Sequence, residues 1–279
     1  MKTHLVTSDW LKEKLSDSSV RVADCRFTLG KPEAGKQAYD EDHIPGAVYF
    51  DLEKDMSGAK EKHGGRHPLP KIEDFVEKLG QAGISEKTIV VAYDDQGGAM
   101  ASRLWWLLQY LGHDQVYVLN DGYSSWKKKG YPVTSEVLQP NPERYEAKVQ
   151  EEMVADINWV KAKKDAEEVI LIDSREERRY KGLEEHIDPV AGHIPGAKNY
   201  FWKGVLNDEG TWKEEESLKQ QFKDIDPSKE IIVYCGSGVT ACPNILGLKE
   251  AGYEKVRLYP GSWSDWCSYP DNPAGREEE

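Results

Sequence analysis

The 279-residue sequence predicts an α/β fold made of two similar halves, each with a mostly parallel central sheet flanked by helices. Two observations predict it. Short β-branched runs alternate with helical patterns, which is typical of parallel sheets covered on both faces. Several segments also occur twice, at an offset of about 140 to 150 residues. A repeat of that length indicates a duplicated domain, because solenoid units are much shorter.

Strands and helices follow the same order in the two halves. Strands are predicted at 20–25, 88–94 and 115–119, and again at 168–173, 230–235 and 256–259. The clearest helical patterns cover 72–80, 99–111 and 241–250. Between the halves, Gln139-Pro140-Asn141-Pro142 interrupts this order, since proline disrupts both regular structures. We therefore predict a linker at 138–152, between domains at 1–137 and 153–279.

The repeated segments show which residues correspond. Three pairs of segments match in residue type: 24–26 with 173–175, 43–47 with 193–197 (both His-Ile-Pro-Gly-Ala), and 89–94 with 231–235. Aligning Tyr93 with Tyr234 sets Asp94 against Cys235. A carboxylate cannot replace a thiol as a nucleophile, so we expect only the second half to be catalytic.

Residues 235–241, Cys-Gly-Ser-Gly-Val-Thr-Ala, form a glycine-rich turn between a predicted strand and a predicted helix. Backbone N–H groups converge in such a turn, and the helix dipole adds partial positive charge, so the loop stabilises an anion. A thiolate at its first position is a suitable nucleophile. Ligands in parallel α/β folds bind at the carboxyl ends of strands, where Cys235 is expected.

Two other interpretations compete for this loop. Protein tyrosine phosphatases also hold a thiolate among backbone amides, but they need an arginine six residues after the cysteine to bind phosphate. That position is Ala241 here, and residues 235–241 contain no arginine. A cradle without arginine fits a sulfane sulfur better than a phosphate. The remaining alternative is a buried structural cysteine beside a tight turn.

Composition narrows the possible partners. A net charge of −13 argues against nucleic acid or an anionic membrane as a partner. No apolar run is long enough to span a membrane, and the N-terminal residues lack an apolar signal core, so we expect a cytoplasmic location. The four cysteines, at 25, 235, 242 and 267, lack the spacing of a metal site. No metal or organic cofactor is expected.

Taken together, the motifs resemble the tandem rhodanese-domain sulfurtransferases, the family of thiosulfate sulfurtransferase and 3-mercaptopyruvate sulfurtransferase. The resemblance covers essentially the whole chain and includes the loop at 235–241, the Arg-Leu-Trp-Trp stretch at 103–106 and the closing run at 261–266. It implies an inactive rhodanese-like domain at 1–137 and a catalytic one at 153–279. The loop is similar to that of the mercaptopyruvate branch, whereas rhodanese has Arg and Lys in place of Gly236 and Ser237.

The resemblance also implies roles for single residues. Cys235 is the nucleophile, Arg179 binds the anionic group of the sulfur donor, and Ser237, His67 and Asp51 form a relay. His63 is an alternative to His67. The anion cradle consists of Gly236, Gly238, Val239, Thr240 and Ala241.

A departure from the family pattern leaves the sulfur donor open. Mercaptopyruvate enzymes often have a second arginine shortly after Arg179, but this chain has Glu184-Glu185-His186-Ile187-Asp188 there. The implied reaction moves a sulfane sulfur from 3-mercaptopyruvate or thiosulfate, through a Cys235 persulfide, to a thiol, a thioredoxin-like protein or cyanide. The alternative is a rhodanese-like module that carries persulfide, or docks a partner, without turnover. The sequence does not determine the sulfur donor, the acceptor or the oligomeric state.

Overall fold

The computed structural model describes residues 3–277, which form two parallel sheets, one in each half of the chain. The first sheet has the strand order β1-β5-β4-β2-β3, and all its pairings are parallel. Its strands are β1 (Leu5–Val6), β2 (Val20–Asp24), β3 (Ala47–Tyr49), β4 (Ile89–Tyr93) and β5 (Val116–Leu119).

The second sheet repeats this arrangement with one strand fewer. Its order is β7-β6-β8-β9, again with parallel pairings. The strands are β6 (Val169–Asp173), β7 (Lys198–Asn199), β8 (Glu230–Tyr234) and β9 (Val256–Leu258). The two central strands, β4 and β8, are buried over four of their five residues, which agrees with their continuous β-branched sequences. The predicted α/β fold is confirmed.

Helices cover the sheets. In the first half they are α1 (Ser8–Lys14), α2 (Ala34–Glu41), α3 (Ile72–Gln81), α4 (Ala99–Tyr110) and α5 (Gly122–Lys128). In the second half they are α6 (Ile157–Lys163), α7 (Glu177–Lys181), α8 (Glu215–Gln221), α9 (Ala241–Glu250) and α10 (Ser262–Trp266), with short 3-10 turns at Glu151–Met153 and Trp202–Val205. Every strand and helix predicted above ends within one residue of its observed bounds.

Two repeated residues have the same structural role in both halves. His43 Nδ1 lies 2.7 Å from the carbonyl oxygen of Tyr39, and its ring stacks on that tyrosine. His193 makes the same contacts with Tyr180, also at 2.7 Å. Because the contacts occur in the half with a thiol loop and in the half without one, they stabilise the fold.

The segment between the halves packs along the first half. Residues 138–150 contain no helix or strand. The N–H groups of Glu143 and Lys148 donate to the carbonyl oxygens of Gly80 and Leu111, and Tyr145 is buried beside His113. This part of the predicted linker is therefore tied down by hydrogen bonds and by packing. The exact bounds of domains 1–137 and 153–279 stay a prediction.

The two halves share one apolar core. Helices α4 and α9, which correspond in the repeat, pack against each other. The core extends from Trp105 and Trp106 in the first half to Phe222 and Ile245 in the second. Because α9 follows the loop at 235–241 directly, this packing places the first half against the base of that loop.

Candidate active site

Cys235 directly follows β8 and precedes the glycine-rich turn into α9. The Gly238 N–H group donates to the Cys235 sulfur at 3.2 Å. The Cys235 N–H group donates to Ser262 Oγ at 3.1 Å. Gly238 has φ of +79°, and a Cβ there would lie 2.3 Å from the carbonyl oxygen of Pro260. Only glycine fits this position, so a side chain at residue 238 would change the backbone conformation of the loop beside the sulfur.

The rest of the predicted cradle connects the loop to α9. Val239 is buried, Thr240 is the N-cap residue of α9, and Ala241 is the first residue of the helix. Gly236 lies on the other side of the turn, and its carbonyl oxygen accepts a hydrogen bond from the Ser264 N–H group. The predicted loop residues therefore lead from one thiol into the amino end of a ten-residue helix.

The other three cysteines lie outside this loop, in surroundings that keep them protonated. Burial raises the pKa of Cys242 to about 12 and that of Cys267 to about 11. Burial, together with the nearby Asp24, raises the pKa of Cys25 well above its usual range. These thiols are poor nucleophiles at neutral pH.

The first half has a corresponding loop, and Asp94 occupies it. The Asp94 carboxylate accepts hydrogen bonds from the N–H groups of Gln96 and Gly98 on Oδ1, and of Met100 and Ala101 on Oδ2, at 2.7 to 2.9 Å. Burial raises the pKa of this carboxyl, and the four N–H groups oppose that change. Since both oxygens act as acceptors, the loop is arranged around an anion.

Ser237 and His67 come together from opposite halves of the chain. Ser237 Oγ lies 2.8 Å from His67 Nδ1, and both side chains are buried. Burial, with smaller effects from Arg103, Arg66 and Lys60, lowers the pKa of His67 to about 4, so the imidazole is neutral at physiological pH.

His63, the alternative histidine, lies elsewhere. Its Nδ1 is 2.7 Å from Ser268 Oγ, and its ring stacks on Tyr269. The geometry thus selects His67 as the partner of Ser237.

Asp51 is not hydrogen-bonded to His67, in contrast to the relay that the resemblance implies. Its Oδ1 accepts the N–H groups of Glu53 and Lys54, and its Oδ2 has no hydrogen-bond partner in the described part of the chain. Asp51 is buried and stabilises a turn. The structure therefore contains a Ser237–His67 pair without a hydrogen-bonded aspartate.

Arg103 is a functional candidate that the sequence analysis did not single out. It is fully buried in α4, where Nη1 donates to the carbonyl oxygen of Gly238 at 3.1 Å and Nη2 donates to that of His67 at 3.2 Å. No carboxylate among residues 3–277 forms an ion pair with it. Burial lowers its pKa, and the sulfurs of Cys242 and Cys235 oppose that change. In the sequence, Arg103 could have been noticed as the charged residue of an otherwise apolar helix.

Arg179 lies in α7, close to the loop. Its Nη1 and Nη2 atoms would be 3.7 and 3.8 Å from a Cβ at Gly236. Glu185 and Asp188 bind its Nη2 at 2.8 and 3.2 Å. The acidic segment that replaces the family's second arginine thus supplies the partners of Arg179. Arg66, which precedes His67, also reaches Gly236, and no local sequence pattern indicated this.

The chain is similar to known proteins along most of its length. A family model described as a rhodanese-like domain matches residues 7–129 and 156–269. The probable 3-mercaptopyruvate sulfurtransferase of Pseudomonas aeruginosa is 40% identical, with 96% of each chain covered. The thiosulfate sulfurtransferase of Bos taurus is 36% identical, over 94% of this chain and 91% of that protein.

Solved structures show the same likeness. The crystal structure of SseA from Escherichia coli, described as a 3-mercaptopyruvate sulfotransferase, superposes with a TM-score of 0.84 at 30% identity. The superposition covers 94% of this chain and 100% of that one. The chain belongs to the rhodanese family, as a tandem rhodanese sulfurtransferase. It is an enzyme that transfers sulfur.

Among residues 3–277, no helix combines the length and the apolar character that crossing a membrane requires.

Proposed function

We propose that this sulfurtransferase takes a sulfane sulfur from 3-mercaptopyruvate or thiosulfate onto Cys235 and passes it on from a Cys235 persulfide. The observation that carries the proposal is the Asp94 loop of the first half. In aspartate the carboxylate oxygens lie two bonds beyond Cβ, as does the outer sulfur of a cysteine persulfide. Asp94 therefore resembles the anionic persulfide in shape and charge, and four backbone N–H groups bind it.

The same geometry supports an anion on Cys235. A loop of the same kind, leading from a strand into the N-terminus of a helix, begins at Cys235. The Gly238 N–H group already donates to the Cys235 sulfur. Donors fixed in the backbone stabilise a charge without reorganising, which is the principle of an oxyanion hole.

In the first half-reaction, the Cys235 thiolate attacks the transferable sulfur and a new S–S bond forms. With thiosulfate, the old S–S bond breaks and its electron pair leaves on sulfite. With mercaptopyruvate, the C–S bond breaks and its electron pair leaves as the enolate of pyruvate, which then takes up a proton. The enolate needs more stabilisation at its oxygen than sulfite does.

The Ser237–His67 pair suits that need. When neutral His67 donates from Nδ1 to Ser237 Oγ, the Ser237 hydroxyl hydrogen is free to bind the ketone oxygen of mercaptopyruvate. As negative charge develops there, the Ser237 proton can shift to the enolate oxygen while the Nδ1 proton of His67 shifts to Ser237 and Nε2 of His67 takes up a proton from water, so that the imidazole stays neutral. Arg179 binds the carboxylate or sulfonate of the sulfur donor through its guanidinium group.

In the second half-reaction, an acceptor attacks the outer sulfur and the Cys235 thiolate leaves. The acceptor is a small thiol, a thioredoxin-like protein or cyanide, and the product is its persulfide or thiocyanate. The enzyme alternates between two covalent forms, which predicts ping-pong kinetics. The cytoplasmic location stays a prediction.

Initial-rate measurements test this proposal. Varying mercaptopyruvate or thiosulfate against one acceptor should give parallel double-reciprocal lines, and kcat/KM for the two sulfur donors identifies the better one. A module that carries persulfide without turnover would form product only once per chain. Intersecting lines would indicate a ternary complex and would exclude the persulfide route.

A further inference from the structure

We infer that Ser262 is a positioning residue of the catalytic loop, because its hydroxyl fixes the backbone of Cys235 before a sulfur donor binds. The inference rests on the proposed function, since it assigns a further residue to the same reaction. Ser262 is the first residue of α10 and is fully buried. It lies 27 residues after Cys235 in the chain and contacts it directly.

The backbone of Ser262 has an unusual conformation. Its φ of +54° makes it the sole residue other than glycine with a positive φ among residues 3–277. This left-handed conformation costs free energy in any residue that carries a Cβ, because the Cβ crowds the neighbouring carbonyl oxygen. Such strain persists where surrounding contacts enforce it, and it is concentrated at functional sites.

The first half shows that glycine can occupy the same place. In α10 the Trp263 N–H group donates to the carbonyl oxygen of the nucleophile at 3.0 Å, and in α5 the Tyr123 N–H group donates to that of Asp94, also at 3.0 Å. The residue before Tyr123 is Gly122, with φ of +67°, and the corresponding residue in α10 is Ser262. The half without a thiol thus avoids the strain, whereas the catalytic half carries it.

The Ser262 hydroxyl makes two contacts that glycine cannot make. Ser262 Oγ accepts a hydrogen bond from the Cys235 N–H group at 3.1 Å and donates one to the carbonyl oxygen of Tyr259 at 2.9 Å. The bond to Tyr259 fixes the direction of the hydroxyl hydrogen, so the oxygen is left to accept from Cys235. Because Cys235 is buried, removing the hydroxyl would leave its N–H group without this partner.

Two further hydrogen bonds from α10 hold the start of the loop. The Trp263 N–H group donates to the carbonyl oxygen of Cys235 at 3.0 Å. The Ser264 N–H group donates to that of Gly236, also at 3.0 Å. In a trans peptide group the C=O and N–H bonds point in opposite directions, so the N–H groups of Gly236 and Ser237 point away from α10. Across residues 3–277 neither has a hydrogen-bond partner, so both stay free to bind an anion in the loop.

The combined effect is to fix the main chain of the nucleophile. The bond to Ser262 orients the peptide group before Cys235, and the bond from Trp263 orients the one after it. With both peptide groups held, neither φ nor ψ of Cys235 changes freely, so the base of its side chain is fixed. A nucleophile held in this way reacts faster, because less entropy is lost on the way to the transition state.

Single-turnover kinetics of the full chain test the inference. Formation of the Cys235 persulfide is followed at increasing thiosulfate and, separately, mercaptopyruvate, in the wild type, Ser262→Gly, Ser262→Ala and Ser8→Ala. We expect both Ser262 variants to form persulfide about tenfold more slowly at saturating sulfur donor, with half-saturating concentrations within about twofold of the wild type. Ser8→Ala should keep the wild-type rate. Ser8 is the matched control, because it is also fully buried and its hydroxyl donates to Asp121 Oδ1 at 2.5 Å.

Urea unfolding of the same variants separates positioning from structural support. Ser262→Gly should fold, because Gly122 occupies the corresponding place in the first half. Glycine adopts φ of +54° without strain, so Ser262→Gly should unfold at a higher urea concentration than Ser262→Ala. A positioning role predicts equal losses of rate in the two variants despite this difference. Rates that follow the urea midpoints, or a wild-type rate in Ser262→Gly, would overturn the inference.

Amide hydrogen exchange reports on the hydrogen bond itself, whether or not sulfur is transferred. Labelling the four cysteines with nitrogen-15 gives four backbone signals, and the Cys235 signal is assigned by its loss in Cys235→Ser. We expect this N–H group to exchange about tenfold faster or more in Ser262→Gly, with the other three unchanged. Unchanged exchange at Cys235 would overturn the inference. A wild type that forms no persulfide would instead refute the proposed function.

Discussion

At the scale of single residues, Ser237 and His67 carry the clearest kinetic consequence. Ser237 Oγ and His67 Nδ1 are 2.8 Å apart, and both side chains are buried. The two residues come from opposite halves of the chain. Because the enolate needs a proton and sulfite does not, the pair should matter more for mercaptopyruvate. We expect Ser237→Ala and His67→Gln each to lower kcat/KM for mercaptopyruvate by about 100-fold, with a clearly smaller loss for thiosulfate.

Combining the two substitutions tests whether the pair acts as a unit. The double variant should fall little further than either single one, since members of one unit are not additive. His63→Gln is the control, because His63 binds Ser268 and not Ser237. Equal losses for both sulfur donors would show that the pair supports the loop structurally and takes no part in proton supply.

His67 also predicts a pH dependence of stability. Its pKa of about 4 lies below the ordinary value of 6.5, so the unfolded chain takes up a proton first as the pH falls. Neutral His67 therefore contributes to the free energy of unfolding above pH 6.5, and this contribution is lost as the pH falls towards 4. Between about pH 7.5 and about pH 5 the loss should be about 2 kcal/mol.

Urea unfolding at those two pH values measures this loss. His67→Gln should show a correspondingly smaller decline with acid, whereas His63→Gln should keep the wild-type decline. The same decline in His67→Gln and in the wild type would assign the acid sensitivity to other groups.

Asp94 should matter for folding and little for sulfur transfer. Asp94→Asn replaces an anion that accepts four N–H bonds with an amide that accepts on one oxygen only. We expect a loss of about 2 to 4 kcal/mol of unfolding free energy and retention of most of the kcat/KM of the folded protein. Loss of activity in a fully folded Asp94→Asn protein would contradict the assignment of this half as inactive.

At the scale of elements, helix α4 brings a buried charge under the catalytic loop. Arg103 binds the carbonyl oxygen of Gly238 and has no carboxylate partner in the described ranges, and its charge interacts with the sulfurs of Cys242 and Cys235. Since Cys242 stays protonated, we expect a thiolate or persulfide on Cys235 to be the anion that Arg103 stabilises. Arg103→Met should slow persulfide formation about tenfold or more, because a preorganised charge is lost. Arg103→Lys should restore part of the rate.

Stopped-flow measurement of persulfide formation, with circular dichroism on the same samples, checks this expectation. Leu107→Met on the same helix is the control for packing, because it changes the side chain with little change in volume. A folded Arg103→Met protein that forms persulfide at the wild-type rate would show that the buried charge serves only the interface.

The strands and helices also differ in how well they could be predicted from the sequence. The β-branched strands around 20, 90 and 231 and the helices at 72, 99 and 241 were recognisable because their patterns are local. Strands β1, β3 and β7 were not predicted, since each has only two or three residues. The loop at 235–241 was found because its glycines and its cysteine are contiguous.

The rest of the site depends on contacts between distant parts of the chain. Ser237 and His67 are 170 residues apart, and only the family resemblance paired them. The same resemblance placed Asp51 in the relay, where the structure has no hydrogen bond to His67. Arg66 and Arg103 reach the loop through the packing of the two halves, which no periodicity encodes.

At the scale of the whole molecule, duplication has produced one site from two halves. The second half supplies the thiol, Ser237 and Arg179, while the first supplies His67, Arg103 and Arg66. The corresponding loop of the first half binds its own Asp94 carboxylate through four backbone N–H groups and carries no thiol. One chain should therefore carry one transferable sulfur.

Intact-protein mass spectrometry after incubation with mercaptopyruvate or thiosulfate tests this central claim most directly. The account predicts an added mass of one sulfur atom per chain, mapped by peptide analysis to Cys235, removed by cyanide and absent in Cys235→Ser. A sulfur found on Cys25, Cys242 or Cys267, or persisting in Cys235→Ser, would contradict it.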